Sequence, residues 1–485
     1  MPTSRLPHPL VAIIPILSLI GLLALTIFLF GSDSLSGGSQ LALIFGMAVC
    51  IALSMSLYHV PWAVFEKQIC HTLGDVSVTL LILLVVGMIA GSWMVSGVVP
   101  TLICYGIEVM SPRFFLVSTC AICALVSLLS GSSWTTIATI GVALMGIGDA
   151  LEVSEAWTAG AIISGAYFGD KMSPLSDTTI LASSAVGTDL FTHIRYMTYT
   201  TVPTFLITLA IFLLSGLDVS PSQTVHAVEF AEGLSSTFHI SAWTLLVPLL
   251  TGVLIAMRQP SLITLFLSAL MAGLTALLLQ PHLLQEIGQG YGWQGLVRGL
   301  AVTYYGSTAI ETGNESLNQL VSTSGMAGMF NTIWLILCAM CFGASMVASG
   351  MIESITRLIL HFARTRLRLV SSTAATGLFL NITTGDQFIS IVLTANMYSK
   401  AYQHQGYEPR LLSRTAEDSA TVTSVLVPWN TCGMTQSTVL GVPTVTYLPY
   451  CFFNYLSPLM TILVAAIGWK IRRHSSARQP GQPAE

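Results

Sequence analysis

Charged residues are scarce in this sequence: Asp, Glu, Lys and Arg make up only 8% of its 485 residues, against roughly 25% in an average soluble domain. Apolar residues make up 53%, and the mean hydropathy is +0.76. The net charge of -4 leaves no basic excess that could bind nucleic acid. This composition excludes a soluble globule and predicts a polytopic membrane protein whose surroundings are the lipid bilayer.

Several chemical signatures are also missing. The nine cysteines are scattered, several lie in apolar runs, and their number is odd, so no disulfide framework is expected. Cys120 with Cys123 and Cys338 with Cys341 have no further ligands nearby and are interpreted as small core residues. No Walker A pattern indicates ATP, so we expect neither a cofactor nor an enzyme. No cleavage site closes a short apolar segment at the start, and we expect the first span to be retained.

Eight apolar stretches are long enough to cross about 30 Å of hydrocarbon. Two longer ones are interrupted by Gly, Pro, Asp and Asn, which predicts broken helices at 156–186 and 411–440. Two further segments, 114–146 and 369–398, have apolar arms of about 14 to 17 residues around a polar tip, and we interpret them as re-entrant hairpins. The plain spans are 10–30, 40–58, 76–95, 195–214, 241–257, 261–279, 330–348 and 445–469.

The distribution of basic residues sets the expected orientation. Ten crossings place both termini on one side, and the basic cluster after the last span puts that side in the cytoplasm. The loops predicted outside, among them 31–39 and 217–240, contain no Lys or Arg. We therefore expect a multi-pass protein of the plasma (inner) membrane. The cluster consists of Lys470, Arg472, Arg473 and Arg478.

A repeat offset recurs along the chain. Gly350 follows Gly97 by 253 residues, while Gly385 follows Gly131, and Pro428 follows Pro174, by 254. Each half would hold five crossings and one hairpin, and because five is odd the second half must be inverted, as in many secondary transporters. The expected fold is thus an all-α inverted repeat. Its units are a first repeat (1–216), an external linker (217–240), a second repeat (241–473) and a cytoplasmic tail (474–485).

The strongest local signal surrounds Pro174, which disrupts a helix and frees backbone carbonyls. Hard oxygen donors of the kind that suit Na+ cluster at the same depth. Lys171 has two interpretations: a buried ion pair, or a side chain that reaches a water-filled vestibule. The candidate cation-binding residues here are Asp170, Ser173, Ser176, Asp177 and Thr178.

The second half keeps oxygen donors but lacks the acid at the break. Asn430 aligns with Ser176, and Thr431 aligns with Asp177. Glu417 and Asp418 precede Pro428 by about ten residues, or roughly 15 Å of helix. They are interpreted either as the mouth of a pathway or as a charge pair at a helix start.

The hairpin tips add polar groups where half-helices converge. Ser132 and Ser133 occupy the first tip, and Thr384 and Asp386 the second. Such tips bind ions through backbone groups and helix dipoles. Asp386 could be an ion ligand, a proton site or a structural cap.

Two motifs resemble the NhaC-type sodium/proton antiporters: the run from Gly169 to Thr178 and the run from Glu417 to Gly433. The resemblance implies membership of the ion transporter superfamily, a homodimer with scaffold and transport domains, and a fold that allows elevator movement. It also implies that tips and breaks bind Na+ and substrate. Those positions are Ser132, Ser133, Ser173, Asp177, Thr384, Asp386, Asn430 and Thr431.

The leading functional hypothesis is Na+/H+ exchange, in which Asp170 and Asp177 hold Na+ or H+ in turn, with Ser173 completing the Na+ site of Asp177. Coupled exchange of a small organic acid or amino acid, of the malate/lactate type, is the alternative. The absence of an Arg-rich site in the membrane favours the cation, although hairpin amides can hold a carboxylate unaided. A channel is disfavoured because opposed hairpins support alternating access. The candidates for proton coupling are Asp170, Lys171, Asp177, Glu417 and Asp418.

Overall fold

The computed structural model describes residues 6–30, 37–216, 223–312, 317–318 and 321–471. Within these residues the chain is helical, and its β-structure is limited to one isolated bridge between Thr308 and Thr323. The predicted tail 474–485 and part of the predicted linker, 217–222, lie outside the described residues. The observed architecture is all-α.

The first part of the chain contains the first hairpin and the first broken helix. Helix α7 continues into α8 through a π-helical turn, Ile137–Gly141. The helices are α1 (Pro9–Phe30), α2 (Gly38–Tyr58), α3 (Trp62–Asp75), α4 (Ser77–Val95), α5 (Val98–Val109), α6 (Phe115–Ser130), α7 (Ser133–Thr136), α8 (Val142–Ala150), α9 (Glu155–Met172), α10 (Asp177–Ala185) and α11 (Leu190–Ser215).

The second part contains the second hairpin and the second broken helix. After α21 the chain forms a π-helical turn, Glu417–Thr421, and a 3-10 turn, Ser424–Leu426. The helices are α12 (Gln223–Thr237), α13 (Leu246–Ala256), α14 (Ser261–Leu279), α15 (Pro281–Ile287), α16 (Gly292–Tyr305), α17 (Phe330–Ala348), α18 (Met351–His361), α19 (Arg366–Thr384), α20 (Gln387–His404), α21 (Pro409–Ala416), α22 (Thr431–Leu440), α23 (Thr444–Tyr447) and α24 (Phe452–Ile467).

Seven helices in the described chain are long and apolar enough to cross a membrane, or nine if two bent pairs each form one span. Six of the eight predicted plain spans coincide with continuous helices of this group. Large apolar side chains on these helices remain exposed, for example Phe28 (85%) and Leu278 (80%), as expected for surfaces in contact with lipid. The composition thus predicted the membrane class and most spans correctly.

The predicted span 241–257 coincides with one helical stretch, Ala242–Ala256, which a bend of 91° separates from the preceding helix. The prediction of a plain span at 445–469 is wrong, because that range belongs to a pair of helices bent by 55°. In the second case the chain forms a 3-10 turn, Leu448–Tyr450, before α24 starts. Pro449 lacks the N–H that a continuous helix needs, which accounts for the bend.

The predicted lengths of the hairpin arms are also wrong. Pro112–Ser130 forms a helical stretch of 19 residues, and α19 and α20 have 19 and 18 residues. The short arms were inferred from apolar residues alone, but the helices continue into polar flanks such as Arg366–Arg368. Arm length therefore gives no argument for re-entry, whereas the turns at the tips fall where expected.

The two tips and the two breaks have matching backbone conformations. Gly131 and Gly385 end α6 and α19 with φ of 69° and 71°, in the left-handed region that glycine adopts at low cost. Ser173 and Val427, each before a proline, are extended at ψ of 132° and 116°. Both predicted broken helices are therefore interrupted at their prolines.

Small residues pack the first hairpin arm closely against the broken helix. A Cβ atom at Gly165 or Gly169 of α9 would overlap the carbonyl oxygen of Cys120 or Ala124 on α6. Ser127 Oγ donates to the carbonyl oxygen of Ala166 at 2.6 Å across the same contact. Helices α6 and α9 thus pack backbone to backbone, as small residues allow in membranes.

Candidate cation site

The first hairpin tip is hydrogen-bonded to the first broken helix. The backbone N–H and the hydroxyl of Ser133 both donate to Asp170 Oδ2, at 3.1 and 2.7 Å. Ser132 caps the helix after the tip, since its Oγ accepts from the N–H of Thr135 at 3.2 Å. Gly131 lies so close to Leu175 that no side chain fits there. The tip therefore holds one oxygen of a buried carboxylate in a fixed position.

A cavity of about 410 Å³ opens beside this contact. It is lined by four of the predicted cation-binding residues, and Asp177 is exposed within it. Trp134, Gln387 and Phe388 form part of its wall. The four residues brought together here are Ser132, Asp170, Asp177 and Thr178.

Ser173 and Ser176 do not line this cavity. Both are buried, and their hydroxyl oxygens accept from backbone N–H groups, of Leu175 at 3.2 Å and of Thr179 at 3.4 Å. Ser176 Oγ also lies 3.0 Å from the hydroxyl oxygen of Thr178. In this conformation the two serines shape the break by capping it.

The second tip has the reverse arrangement, with the acid on the tip. Asp386 Oδ1 accepts from the N–H of Ile389 at 3.0 Å and so caps α20, while Oδ2 accepts from the hydroxyl of Thr431 at 3.2 Å. The N–H of Thr431 donates to the carbonyl oxygen of Gly385 at 2.8 Å, and Asn430 Oδ1 caps the N–H of Cys432 at 3.0 Å.

Asp386 and Thr384 also line a second cavity, of about 460 Å³. Asp386 is only 4% exposed, so most of its surface is covered by the cap and by Thr431. The cap interpretation and the ligand interpretation of Asp386 are therefore geometrically compatible.

A buried ion pair joins the two broken helices. The ammonium of Lys171 on α9 donates to Asp418 Oδ1 and to Ser457 Oγ, the latter at 3.3 Å. The same Asp418 oxygen accepts from the hydroxyl of Thr200 at 3.2 Å, and Arg414 Nε lies 3.8 Å from the other oxygen. Lys171, Arg414 and Asp418 are all 0% exposed. Lys171 is thus in a buried pair, with Asp418 and not with its neighbour Asp170, and no vestibule surrounds it.

Neither interpretation of Glu417 and Asp418 describes their position in this conformation. Both are 0% exposed, so neither lies at a pathway mouth, and α21 starts eight residues earlier at Pro409, so they are no helix-start pair. The helix packs inward, and Glu417 Oε1 accepts from the hydroxyl of Thr178 at 3.1 Å. Thr178 thereby connects Glu417 to the wall of the first cavity.

The sequence interpretation missed other members of the buried cluster. Arg414 belongs to the predicted broken helix 411–440, and its guanidinium is buried 4.5 Å from the centre of the Tyr196 ring. His193 is also fully buried, with Nδ1 2.9 Å from Ser413 Oγ. Arg195, at the start of the predicted span 195–214, is exposed. A charge every four residues along 410–418 was the available signal for an inward-facing stripe.

Asp75 was missed as well, because it lies between two apolar runs and resembles an ordinary loop residue. It is the last residue of α3 and lines both cavities. Its Oδ2 lies 3.0 Å from His71 Nδ1, and its side chain is 53% exposed.

The chemistry of the lining suits a hard cation. Carboxylate and hydroxyl oxygens line the first cavity, and such ligands favour Na+ over soft metals. Among the described residues, no group of three or more His, Cys, Asp or Glu has the geometry to hold a resident metal ion. Cys120 and Cys123 are buried where α6 packs on α9.

Comparison with known proteins identifies the family. The chain matches the Na+/H+ antiporter family over residues 6–180 and 165–469. It is 37% identical to the Na(+)/H(+) antiporter NhaC of Alkalihalophilus pseudofirmus, over 89% of this chain and 91% of that protein. It is 33% identical to the NhaC of Bacillus subtilis, over 87% and 91% of the two chains. Identity to the malate-2H(+)/Na(+)-lactate antiporter of Bacillus subtilis is 32%, over 88% and 89%. This chain belongs to the Na+/H+ antiporter family.

Proposed function

We propose that this chain exchanges Na+ for H+ across the membrane by alternating access. The observation that carries the proposal is the first cavity, where Asp170 and Asp177 face the same space beside the hairpin tip. Two carboxylates with hydroxyls at one site can take up either a hard cation or protons. Family membership supports the same exchange.

Charge balance gives a reason for the coupling. The described chain buries two basic and four acidic side chains, so the set carries excess negative charge when all are ionised. Uncompensated charge is costly away from water. Either Na+ or protons offset the excess, and because each makes the other unnecessary, the two ions compete. The buried charged residues are Asp170, Lys171, Asp386, Arg414, Glu417 and Asp418.

We assign the roles as follows. Asp177 is the central Na+ ligand, and Asp170, positioned by hydrogen bonds from Ser133, is the second carboxylate. Ser132 and Thr178 supply hydroxyl ligands. Ser173 and Ser176 act indirectly, by capping the backbone at the break. Lys171, Glu417 and Asp418 surround the acids and are proposed to take part in proton coupling. At the second hairpin tip and the second helix break, the proposed ion or substrate ligands are Thr384, Asp386, Asn430 and Thr431.

The inverted repeat is part of the proposal. It is supported by the matching glycines at the tips and the matching extended residues before Pro174 and Pro428. Inversion would let the two broken helices cross near the bilayer midplane, where a site can face either side in turn. A homodimer in the plasma membrane, with cytoplasmic termini and elevator movement, completes the proposed arrangement.

Cysteine labelling tests the orientation. Cys70 is exposed and is first replaced by serine. A cysteine at the exposed Glu232, in the linker predicted outside, should react with an impermeant maleimide on intact cells. One at the exposed His404, which lies between the second hairpin and the second broken helix and is therefore cytoplasmic in the proposed ten-crossing topology, should react only after permeabilisation. Labelling of both from one side would contradict the inversion.

The exchange itself is tested in proteoliposomes. An imposed Na+ gradient should move protons in the opposite direction, read by an internal pH dye, and Li+ and K+ gradients serve as comparisons. A protein that moves Na+ without a proton flux would contradict the proposal.

A coupled exchanger of a small organic acid is the second candidate. The second cavity, about 460 Å³ and lined by the apolar Leu181, Phe388 and Leu393, is far larger than a bare cation needs. A relative that exchanges malate and lactate is similar over most of the chain. Malate or lactate inside the vesicles should accelerate Na+-driven proton movement if this candidate is right, and have no effect if Na+ and H+ are the sole substrates.

A further inference from the structure

The two cavities share part of their walls. The residues common to both come from α3, α4, α10 and α20, and Asp75 is the charged one among them. The first cavity is lined by Asp170 and Asp177 of the first broken helix, beside the first tip, and the second cavity is lined by Asp386 of the second tip. The shared residues are Asp75, Thr79, Leu181 and Phe388.

Asp75 is placed for contact with arriving solutes. Its side chain is 53% exposed, whereas Asp170 and Asp386 are 6% and 4% exposed. His71 lines the second cavity, and its Nδ1 lies 3.0 Å from the Asp75 carboxylate. The carboxylate is therefore within reach of a group in that cavity. Asp75 thus lies in the accessible part of a space in which Asp170 and Asp386 are covered, while Asp177 is the exposed acid of the first cavity.

Its position on the helix adds to the local negative potential. Asp75 is the C-terminal residue of α3, where the last carbonyl groups carry partial negative charge. A carboxylate at this end destabilises the helix, because it repels the partial negative charge of the last carbonyl groups. The exposed ion pair with His71 contributes little stability in compensation. The arrangement therefore gives little to the fold, but it attracts cations to the junction of the cavities.

We infer that Asp75 is the capture residue through which a cation reaches both hairpin tips. This inference rests on the proposed function and adds to it a residue that concentrates Na+ before it binds. A capture residue raises the rate of association more than it stabilises the bound ion. Its loss should therefore raise the KM for Na+ and leave kcat nearly unchanged.

The test compares Asp75→Asn with Glu66→Gln in proteoliposomes. Both variants remove one negative charge from α3, but Glu66 is exposed and lines neither cavity. Asp75→Asn should raise the KM for Na+ about three- to tenfold, and Glu66→Gln should leave it unchanged. Because the effect is electrostatic, an inert salt such as choline chloride should raise the wild-type KM and reduce the difference between wild type and Asp75→Asn.

Several outcomes would overturn the inference. An unchanged KM in Asp75→Asn, or an equal rise in Glu66→Gln, would show that Asp75 does not gather the ion. Complete loss of transport by folded Asp75→Asn would make it an obligatory ligand instead. Failure of the proposed function would look different, because the wild type itself would then show no Na+-driven proton movement.

Discussion

The two tip-and-break units share a backbone but exchange their chemistry. Ser132 at the first tip corresponds to Asp386 at the second, and Asp177 at the first break corresponds to Thr431 at the second, each 254 residues later. The first unit therefore has its acid on the broken helix and a hydroxyl on the tip, and the second has the opposite.

This exchange shows which features the fold requires and which it leaves free. The left-handed glycines and extended residues before proline recur in both units, because turn geometry and proline sterics demand them. The acid can be on either side: Ser133 of the first tip donates to Asp170 of the broken helix, and Thr431 of the second broken helix donates to Asp386 of the second tip. Asp177 is exposed in its cavity, whereas Asp386 is covered by its cap and Thr431, so we expect the units to contribute unequally.

The largest loss of Na+/H+ exchange should come from Asp177→Asn, which keeps the shape of the side chain and one oxygen but removes the charge. Unit charges 4 Å apart interact by about 4 kcal/mol at an effective dielectric constant of about 20, so we expect exchange to fall at least roughly a hundredfold. Na+-driven proton flux in proteoliposomes measures it. Asp189→Asn is the matched control, because Asp189 is an exposed helix cap and Asn caps equally well. Transport by Asp177→Asn at the wild-type rate and pH profile would shift the central role to Asp170.

Next in size is the pair that joins the units. Asp418→Asn leaves Lys171 and Arg414 buried without their anion, and breaking such a pair costs about 3 to 5 kcal/mol. The variant should lower the melting temperature in detergent. Glu353→Gln breaks the exposed pair with Arg357 (2.6 Å) and should cost less than about 1 kcal/mol. Equal melting temperatures for the two variants would mean that the buried pair does not hold the broken helices together.

Asp386→Asn should act on Na+ affinity alone. Asn preserves the cap of α20, so folding is kept while one charge near the second cavity is lost. We expect the KM for Na+ to rise about three- to tenfold, equivalent to roughly 1 kcal/mol. Wild-type Na+ dependence would assign Asp386 to helix capping only.

The smallest effects should separate the hydroxyls. Ser133→Ala removes a 2.7 Å donor from Asp170 but leaves the backbone donor, and Thr431→Val removes a 3.2 Å donor from Asp386. Each is worth about 0.5 to 1.5 kcal/mol, with the shorter bond at the upper end. Half-maximal Na+ concentrations should therefore shift more for Ser133→Ala, and the reverse order would show that the second unit dominates.

The sequence predicted the tips and breaks because glycine and proline leave local signals that need no tertiary information. Cys451 marks the opposite case: the bend before α24 lies inside an apolar run, where hydropathy alone cannot distinguish a straight helix from a bent pair. Hydrophobic composition and these local glycine and proline signals were sufficient to predict the class of fold.

Contacts between distant segments were beyond the sequence. Lys171 is next to Asp170 in the chain, but a helix directs neighbouring side chains to different faces, and its partner is 247 residues away. Asp75 gave no signal because its significance comes from two cavities that exist only after packing.

The glycine contacts between α6 and α9 have a mechanical consequence. Because the two backbones are in contact at Gly165 and Gly169, the first hairpin arm and the broken helix form one rigid unit, with no space for an ion to pass between them. We therefore expect an ion in the first cavity to leave on the other side, along the seam where Thr79 and Ile82 of α4 line the cavity. A small rigid molecule bound in that seam would block transport without contacting the carboxylates of the first cavity.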